Sequence, residues 1–417
     1  MNDAFGTVDE RQAESALAAV LASRQFEAAC ATLRAEHDRT VEDIVKLTEI
    51  PSPPFAEEAR AQAYRAMLEA HGLTDVEIDA VGNVMGRRPG TGNGPLLVVA
   101  AHLDTVFPAG TDVTVRREGT RLHAPGVGDD TRSLAVLLAF IRAMDAAAIR
   151  TRHDILFVGD VGEEGLGDLR GMRHLFLEGK YRDRIAGFIT VDSPDMEGIA
   201  TSGIGSKRYR VVFRGPGGHS WGAFGLVNPM YAMAGAVAAL ARIEVPAAPR
   251  TSHCASVVGG GTSVNAIPNE VWVEVDLRSE DAAELAHLEA RFRTLVAEAV
   301  AAENRARSTR DGPVTAETIP IGDRPAGRTS EASDLVRIAR AAIGAHGFEP
   351  RLVASSTDAN IAMSLGIPAI KIGSGGRGGR AHSLDEWIDV EPEASLRGMA
   401  AGLATLLAAA GMETGAA

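Results

Sequence analysis

Three apolar runs constrain the fold of this chain most: PLLVVAAHLDTVF (95–107), HDILFVGDV (153–161) and IAGFITVDS (185–193). Each reads as a buried strand, and SLAVLLAFIRAM (133–144), between the first two, reads as a helix. Buried strands alternating with helices predict an α/β domain with a mainly parallel sheet. Helices cover both faces of such a sheet, so its strands lose the polar alternation of a half-wet strand. Upstream, residues 8–48 place Ala, Leu and Val among charged residues at helical spacing, which predicts one or two amphipathic helices. PSPPF (51–55) must break that pattern, because its prolines remove donors and fix φ. A further helix is expected over about 57–71.

The texture changes near residue 204. KRYRVVFRG (207–215) alternates like a half-exposed strand, and MYAMAGAVAALARI (230–243) follows as a helix. CASVVGGGTSVNAIPNEVWVEVDLRS (254–279) reads as two antiparallel strands with a Gly-rich turn, and 280–306 as a long helix. This β-α-β-β-α string fits a small α+β unit with helices on one sheet face. From about 316 the α/β texture returns, with helices at 330–346 and near 358–364 and the strand PAIKIG (368–373). The chain's 417 residues exceed the roughly 250–300 at which a single core stops growing. The expected organisation is therefore a first part, 1–203, an inserted unit, 204–315, and a returning part, 316–417.

Charge and cysteine content narrow the function. The formal net charge of −13 argues against a broad nucleic-acid surface, which needs clustered Lys and Arg. Two cysteines supply neither a disulfide framework nor a cysteine metal cage. No apolar run is long enough to span a membrane, and MNDAFGTVDERQAE lacks the basic start and apolar stretch of a secretory signal. A cytoplasmic enzyme without nucleic-acid or membrane partners is the expectation.

The chemistry-bearing residues cluster at the C-terminal ends of the expected strands, where open α/β sheets bind ligands. His102 and Asp104 close the first strand, and alternation puts them on one side, so Asp104 is expected to accept the second ring N–H of His102. Asp129 and Asp130 precede a helix in GVGDDTRS, Glu163 and Glu164 sit in GDVGEEGLGDLRG, Asp192 ends ITVDSPD, and His382 lies in GSGGRGGRAHSLDEW. Each has an ordinary alternative: a core histidine satisfied by a local Asp, a helix cap, a solvated turn. Together, two His and three carboxylates suit a pair of borderline divalent ions such as zinc. One carboxylate can bridge two ions about 3.5–4 Å apart, and a second acid beside a ligand acid can act as general base. The Gly-rich stretches VVGGGTSVN and KIGSGGRGGR lack the strand–GxGxxG–helix context of a dinucleotide site.

The succession HLDTV, GVGDD, GEEGLGDLRG, VDSPD, GPGGHS and AHSLDEW resembles the co-catalytic zinc peptidases and amidohydrolases. That family includes peptidase T, carboxypeptidase G, aminoacylases and acetylornithine deacetylase. The resemblance runs from about 40 to 410 and is nearest to the di- and tripeptidase branch. It implies a zinc-exopeptidase-like catalytic domain with an inserted lid or dimerisation domain. It further implies one metal on His102, Asp129 and Asp192, another on Asp129, Glu164 and His382, and Asp129 as the bridge. Glu163 would take a proton from the attacking water, and Asp104 would orient His102. In the inserted unit, His219 of GPGGHS would stabilise the oxyanion, and Asn265 and Arg278 would hold the substrate's carbonyl or carboxylate. Gly375 and Gly376 would run past the substrate backbone. Zinc, or cobalt or manganese, a small peptide or N-acyl amino acid, and a homodimer joined through the inserted domain complete the implied picture. A short-peptide aminopeptidase and an N-acyl or N-carbamoyl amino acid amidohydrolase share this chemistry. A metal-free binding protein is the non-enzyme alternative. Two departures from the family pattern stand out: Thr131-Arg132-Ser133 in place of Lys-Gly-Gly, and Ser355-Ser356 before Thr357-Asp358 in place of Gly-Gly. The first forty or so residues lie outside the resemblance.

Overall fold

The computed structural model describes residues 10–92 and 94–414; the reading of the first nine residues falls outside them. The described chain divides into two compact units, residues 1–203 with 328–417 and residues 204–327.

In the first unit the expected strands become Leu96–His102, Asp154–Asp160, Ile185–Val191 and Ala369–Ile372. Leu96–His102 pairs in parallel with both Asp154–Asp160 and Ile185–Val191, and Ala369–Ile372 extends the sheet in parallel beyond Ile185–Val191. The sheet is mixed at one edge, where Val84–Arg88 runs antiparallel to Asp154–Asp160 and Thr74–Ile78 antiparallel to Val84–Arg88. On the other side Gly198–Gly203 pairs in parallel with Arg351–Ser355. The apolar run of the central strand divides by pleat. Leu97, Val99 and Ala101 join one core, Leu96, Val98 and Ala100 the other, so both faces are covered. Helices Arg132–Ala146 and Pro392–Ala409 pack on the first face, and helices Arg170–Leu177 and Ala359–Ser364 on the second. The N-terminal segment forms three helices, Glu10–Leu21, Arg24–Ala35 and His37–Thr48, where one or two were expected. Ser23 makes the first break by capping Phe26 N–H. Leu17, Val20, Phe26 and Leu33 are buried in the same core as the central strand, so this segment is integral to the unit.

A separate antiparallel sheet of Arg377–Gly379, Trp387–Asp389, Arg121–His123 and Arg116–Glu118 carries the loop that holds His382.

The second unit is an antiparallel sheet in the order Thr251–Gly260, Glu270–Ser279, Gly205–Arg214, Thr315–Arg324. Val271, Val273, Val275 and Leu277 alternate inward against Leu285, Leu288 and Phe292 of helix Ala282–Ala306 and Ala232, Met233 and Ala236 of helix Pro229–Leu240. The expected boundary at 315 is corrected: Thr315–Arg324 pairs with Gly205–Arg214 over most of its length, so the unit ends at Gly327. The short polar alternation TAETIPIGDR hides this fourth strand, because a sheet with one wet face demands little apolar character.

Candidate active site

His102, Glu163, Glu164 and Asp192 stand at the C-terminal ends of parallel strands, and within the first unit Asp129, from the turn before helix Arg132–Ala146, and His382, from the loop of the separate sheet, join them. His102 ends its strand with its side chain buried. Its Nδ1 lies 2.9 Å from the carbonyl oxygen of Asp104, which can only accept, so Nδ1 donates and Nε2 faces the site. The expected ring-to-carboxylate contact is corrected: the nearest Asp104 carboxylate oxygen is 3.7 Å from Nδ1. That carboxylate instead accepts from Glu163 N–H (3.0 Å) and Glu164 N–H (2.8 Å). Asp104 thus positions His102 through its backbone and the Glu163-Glu164 turn through its side chain.

Asp129 stands between two imidazoles. Its Oδ1 is 3.0 Å from His102 Nε2 and its Oδ2 is 3.1 Å from His382 Nε2. Glu164 Oε1 lies 2.9 Å from the same His382 nitrogen. Potential ligand atoms of Asp129, Glu164 and His382 lie within 4.8 Å of one another. So do those of His102, Asp130 and Asp192, and those of His102, Glu163 and Glu164. These sets of oxygen and imidazole donors, overlapping at His102 and Glu164, have the chemistry to hold divalent cations. Asp130 was expected only as Asp129's neighbour at a helix start. Neither acid caps the helix, whose N-terminus has no side-chain cap. Asp130 accepts the backbone N–H of His102 at 3.1 Å.

The charges are strained in a way a cation relieves. Burial alone would raise the Asp129 carboxyl, but the hydrogen bonds from His102 and His382 outweigh it and hold it well below the usual carboxylate range. Hydrogen bonds to Asp129 and then Glu164 push His382 up to about 10. Burial works against a charge on His102, yet Asp129, Asp130 and Asp104 together raise it well above an ordinary histidine. Burial raises Asp192, with Lys371 opposing. These shifts favour the charged imidazoles, so a cation binding there must displace protons. Zinc uptake at pH 7 is expected to release protons, and affinity is expected to fall as pH drops. Titration of zinc in weakly buffered solution with a pH indicator reads this; uptake without proton release contradicts it.

Several positioning groups escaped the sequence reading. Glu386 is buried and accepts N–H groups from Gly126 (3.0 Å), Gly128 (2.8 Å) and Asp129 (2.9 Å), anchoring the turn that presents Asp129. Burial pushes its carboxyl up to about 7. It lies within AHSLDEW, but an acid four residues after a histidine carries no signal of its own. Arg60 is fully buried and donates to the carbonyls of Ile50 and Leu103 (both 2.7 Å), tying the end of the third helix to the His102–Asp104 segment. Asp160 and Asp358 form a buried pair of acids, and burial pushes Asp160 up to about 7.

The two departures now have structural surroundings. Thr131 Oγ1 donates to Gly126 O at 2.6 Å, and Arg132 is buried beside Asp389. Asp358, after Ser355-Ser356, is the acid paired with Asp160. Gly375 and Gly376 both have positive φ, 85° and 76°. A Cβ on Gly375 would stand 2.8 Å from Gly398 of the C-terminal helix, and one on Gly376 would stand 3.0 Å from Arg132. The left-handed backbone favours glycine at both positions, and at Gly375 the close approach of the helix backbone adds to that requirement.

The remaining sequence-singled residues belong to the second unit. His219 pairs with Ala266 in a two-stranded ribbon, where Ser220 N–H donates to Asn265 O at 2.9 Å. His219 and Asn265 are thus neighbours. Arg278 donates to Asp276 at 2.6 Å, and Arg208 approaches the same carboxylate at 3.3 Å. Burial and repulsion from Arg324 and Arg278 depress the Arg208 guanidinium.

Residues 98–409 match the model of peptidase family M20/M25/M40. The chain belongs to that family. A Pyrococcus abyssi (strain GE5 / Orsay) relative, provisionally named a LysW-lysine/LysW-ornithine hydrolase, is 36% identical over 138 residues, which are 33% of this chain and 36% of that protein. Succinyl-diaminopimelate desuccinylase of Corynebacterium glutamicum is 25% identical over 244 residues, 56% of this chain and 64% of that enzyme. The matches thus span less than two thirds of either relative. Among solved structures, aminopeptidase PepT from Bacillus cereus ATCC 10987 superposes with a TM-score of 0.69 at 20% identity, over 90% of this chain and 97% of that one. YXEP of Bacillus subtilis, described as a dinuclear metal-binding peptidase of the M20 family, gives 0.65 at 17% identity over 89% and 98%. These likenesses show the M20 fold: an α/β unit with a mixed sheet flanked by helices. No helix among the described residues is long and apolar enough to cross a membrane.

Proposed function

We propose that this chain is a two-metal hydrolase of amide bonds and, within that class, a di- or tripeptide aminopeptidase. The observation that carries the reading is Asp129, with one carboxylate oxygen facing His102 and the other facing His382. Membership of a peptidase family supports it. His102, Asp129, Asp192, Glu164 and His382 would hold the two cations, zinc by donor type with cobalt or manganese as substitutes. Bound there, the ions would supply the acidification of a water and the polarisation of the scissile carbonyl.

The chain's own groups do the rest. Glu163, whose N–H is held by Asp104, serves as general base and then passes the proton to the leaving nitrogen. His219 donates to the oxyanion, Asn265 holds the carbonyl and Arg278 the substrate carboxylate, roles that rest on the family resemblance alone. A homodimer through the second unit and a cytoplasmic setting rest on it likewise. Mixing His219→Ala subunits with Glu163→Gln subunits tests the dimer: regained activity supports a shared site, and none counts against it.

An N-acyl amino acid amidohydrolase is the second reading. The name of the desuccinylase relative favours it, whereas Arg208 and Arg278, which share the Asp276 carboxylate, suit a substrate carboxylate under either reading. A screen of di- and tripeptides against N-acyl and N-carbamoyl amino acids, with zinc, cobalt or manganese added, separates the two. Cleavage of free-amino peptides supports the first reading, and cleavage of acylated substrates only supports the second. Failure on every substrate, with fewer than about two metal equivalents bound, returns the chain to the binding-protein alternative.

A further inference from the structure

Phe55 is a large aromatic side chain that no catalytic role uses, and it is 66% exposed. Its backbone has φ 70°, a left-handed conformation that a bulky residue rarely adopts and that marks a locally over-determined segment. Three features hold it. Pro51, Pro53 and Pro54 stiffen the approach. Phe55 N–H donates to Glu57 Oε1 at 3.0 Å, and Glu57 is itself buried. Glu57 also binds Arg170 at 2.7 Å, and the Arg170 guanidinium lies over the Phe55 ring, 4.8 Å from its centroid. The ring is thus backed by a cation on one face and open on the other.

This segment adjoins the candidate active site. Ser52 O accepts the N–H of Thr105, the residue after Asp104, at 2.9 Å. The Arg170 side chain packs directly against Gly162, where a Cβ would stand 2.9 Å from Arg170 Cγ, and Gly162 immediately precedes Glu163. One guanidinium layer therefore separates the Phe55 ring from the turn carrying the general base. Leu166, on the same Gly-rich turn, is a second exposed apolar side chain. Exposed apolar groups scattered singly need no explanation, but a ring fixed by prolines, a buried acid and a stacked arginine beside a reaction centre does.

We propose that Phe55, backed by Arg170, is a specificity platform that receives an apolar side chain flanking the scissile amide. The Glu57–Arg170 pair neutralises the charge behind the ring, so the platform selects apolar over acidic or basic side chains. The proposal rests on the amide-hydrolase reading above and names the substrate class within it.

The test uses full-length, zinc-loaded protein carrying Glu163→Gln, so that binding is read without turnover. Affinities for Leu-Gly, Gly-Leu and Gly-Gly are measured by calorimetry with Phe55 intact and with Phe55→Ala. With Phe55, one leucine peptide is expected to bind about tenfold more tightly than Gly-Gly. With Phe55→Ala that ratio is expected to fall to about one, and Phe55→Leu is expected to restore part of it. Thermal melting of each variant identifies any loss of folding. An unchanged ratio in folded Phe55→Ala protein, or no binding of any peptide to either form, overturns the platform. In the Glu163-containing enzyme the same preference is expected as a KM difference at similar kcat. If binding shows the preference while that enzyme cleaves none of these peptides, the aminopeptidase reading fails and the platform stands.

Discussion

Replacing Glu163 by Gln is expected to lower kcat by about 10²–10⁴-fold while metal content stays the same. The argument is geometric. Glu163 belongs to neither the Asp129–Glu164–His382 nor the His102–Asp130–Asp192 donor set, but it lies among the third group, with His102 and Glu164. Its position comes from its backbone N–H bonded to Asp104, which a side-chain amide leaves intact. Gln keeps the shape and removes only the ability to accept a proton near neutral pH. The loss should therefore appear in kcat with little change in KM. Metal analysis by mass spectrometry beside steady-state kinetics reads both. Turnover within a few-fold of the parent refutes the base assignment, and loss of metal reassigns Glu163 as a ligand.

Glu386→Ala is expected to weaken metal binding by about 10–100-fold, although Glu386 belongs to none of the donor sets. Its carboxylate accepts three backbone N–H groups on the turn ending at Asp129. Removing it leaves two buried donors, on Gly126 and Gly128, and the N–H of half-buried Asp129 without that partner, and each buried loss costs about 1–3 kcal/mol. The turn can recover those bonds only by moving or by admitting water, and either displaces Asp129, the residue both cations would share. Melting temperature should fall together with metal affinity, and competition with a chelating dye measures the latter. Glu386→Gln retains an acceptor oxygen and should lie between Ala and the parent. Unchanged zinc affinity in Glu386→Ala refutes this dependence.

The legibility of these features in sequence followed physical rules. The strands were readable because burial on both faces forces an uninterrupted apolar run, as in LLVVAAH, and the acids and histidines follow those runs directly. The fourth strand of the second unit, Thr315–Arg324, was not, since its one wet face leaves it polar enough to pass for a loop. The contact expected between His102 and the Asp104 side chain failed for a related reason. Period-two alternation gives the side of a strand, but the chain turns out of the sheet at Asp104, so the carbonyl and carboxylate serve different partners. Glu386, Arg60 and the Asp160–Asp358 pair were hidden because each acts on groups distant in sequence.

The order of residue types along the chain determined on its own the α/β class, an inserted α+β unit and the set of acids and imidazoles suited to cations. These properties are written locally, in burial periodicity and in which side chains stand at strand ends. Tertiary structure alone decided that Asp129 would turn one oxygen to each histidine, that Asp104 would brace the Glu163-Glu164 turn, and that Glu386 would hold Asp129 in place. Such contacts join residues tens to hundreds of positions apart. Their distances depend on how sheets, helices and loops pack, which no local pattern encodes.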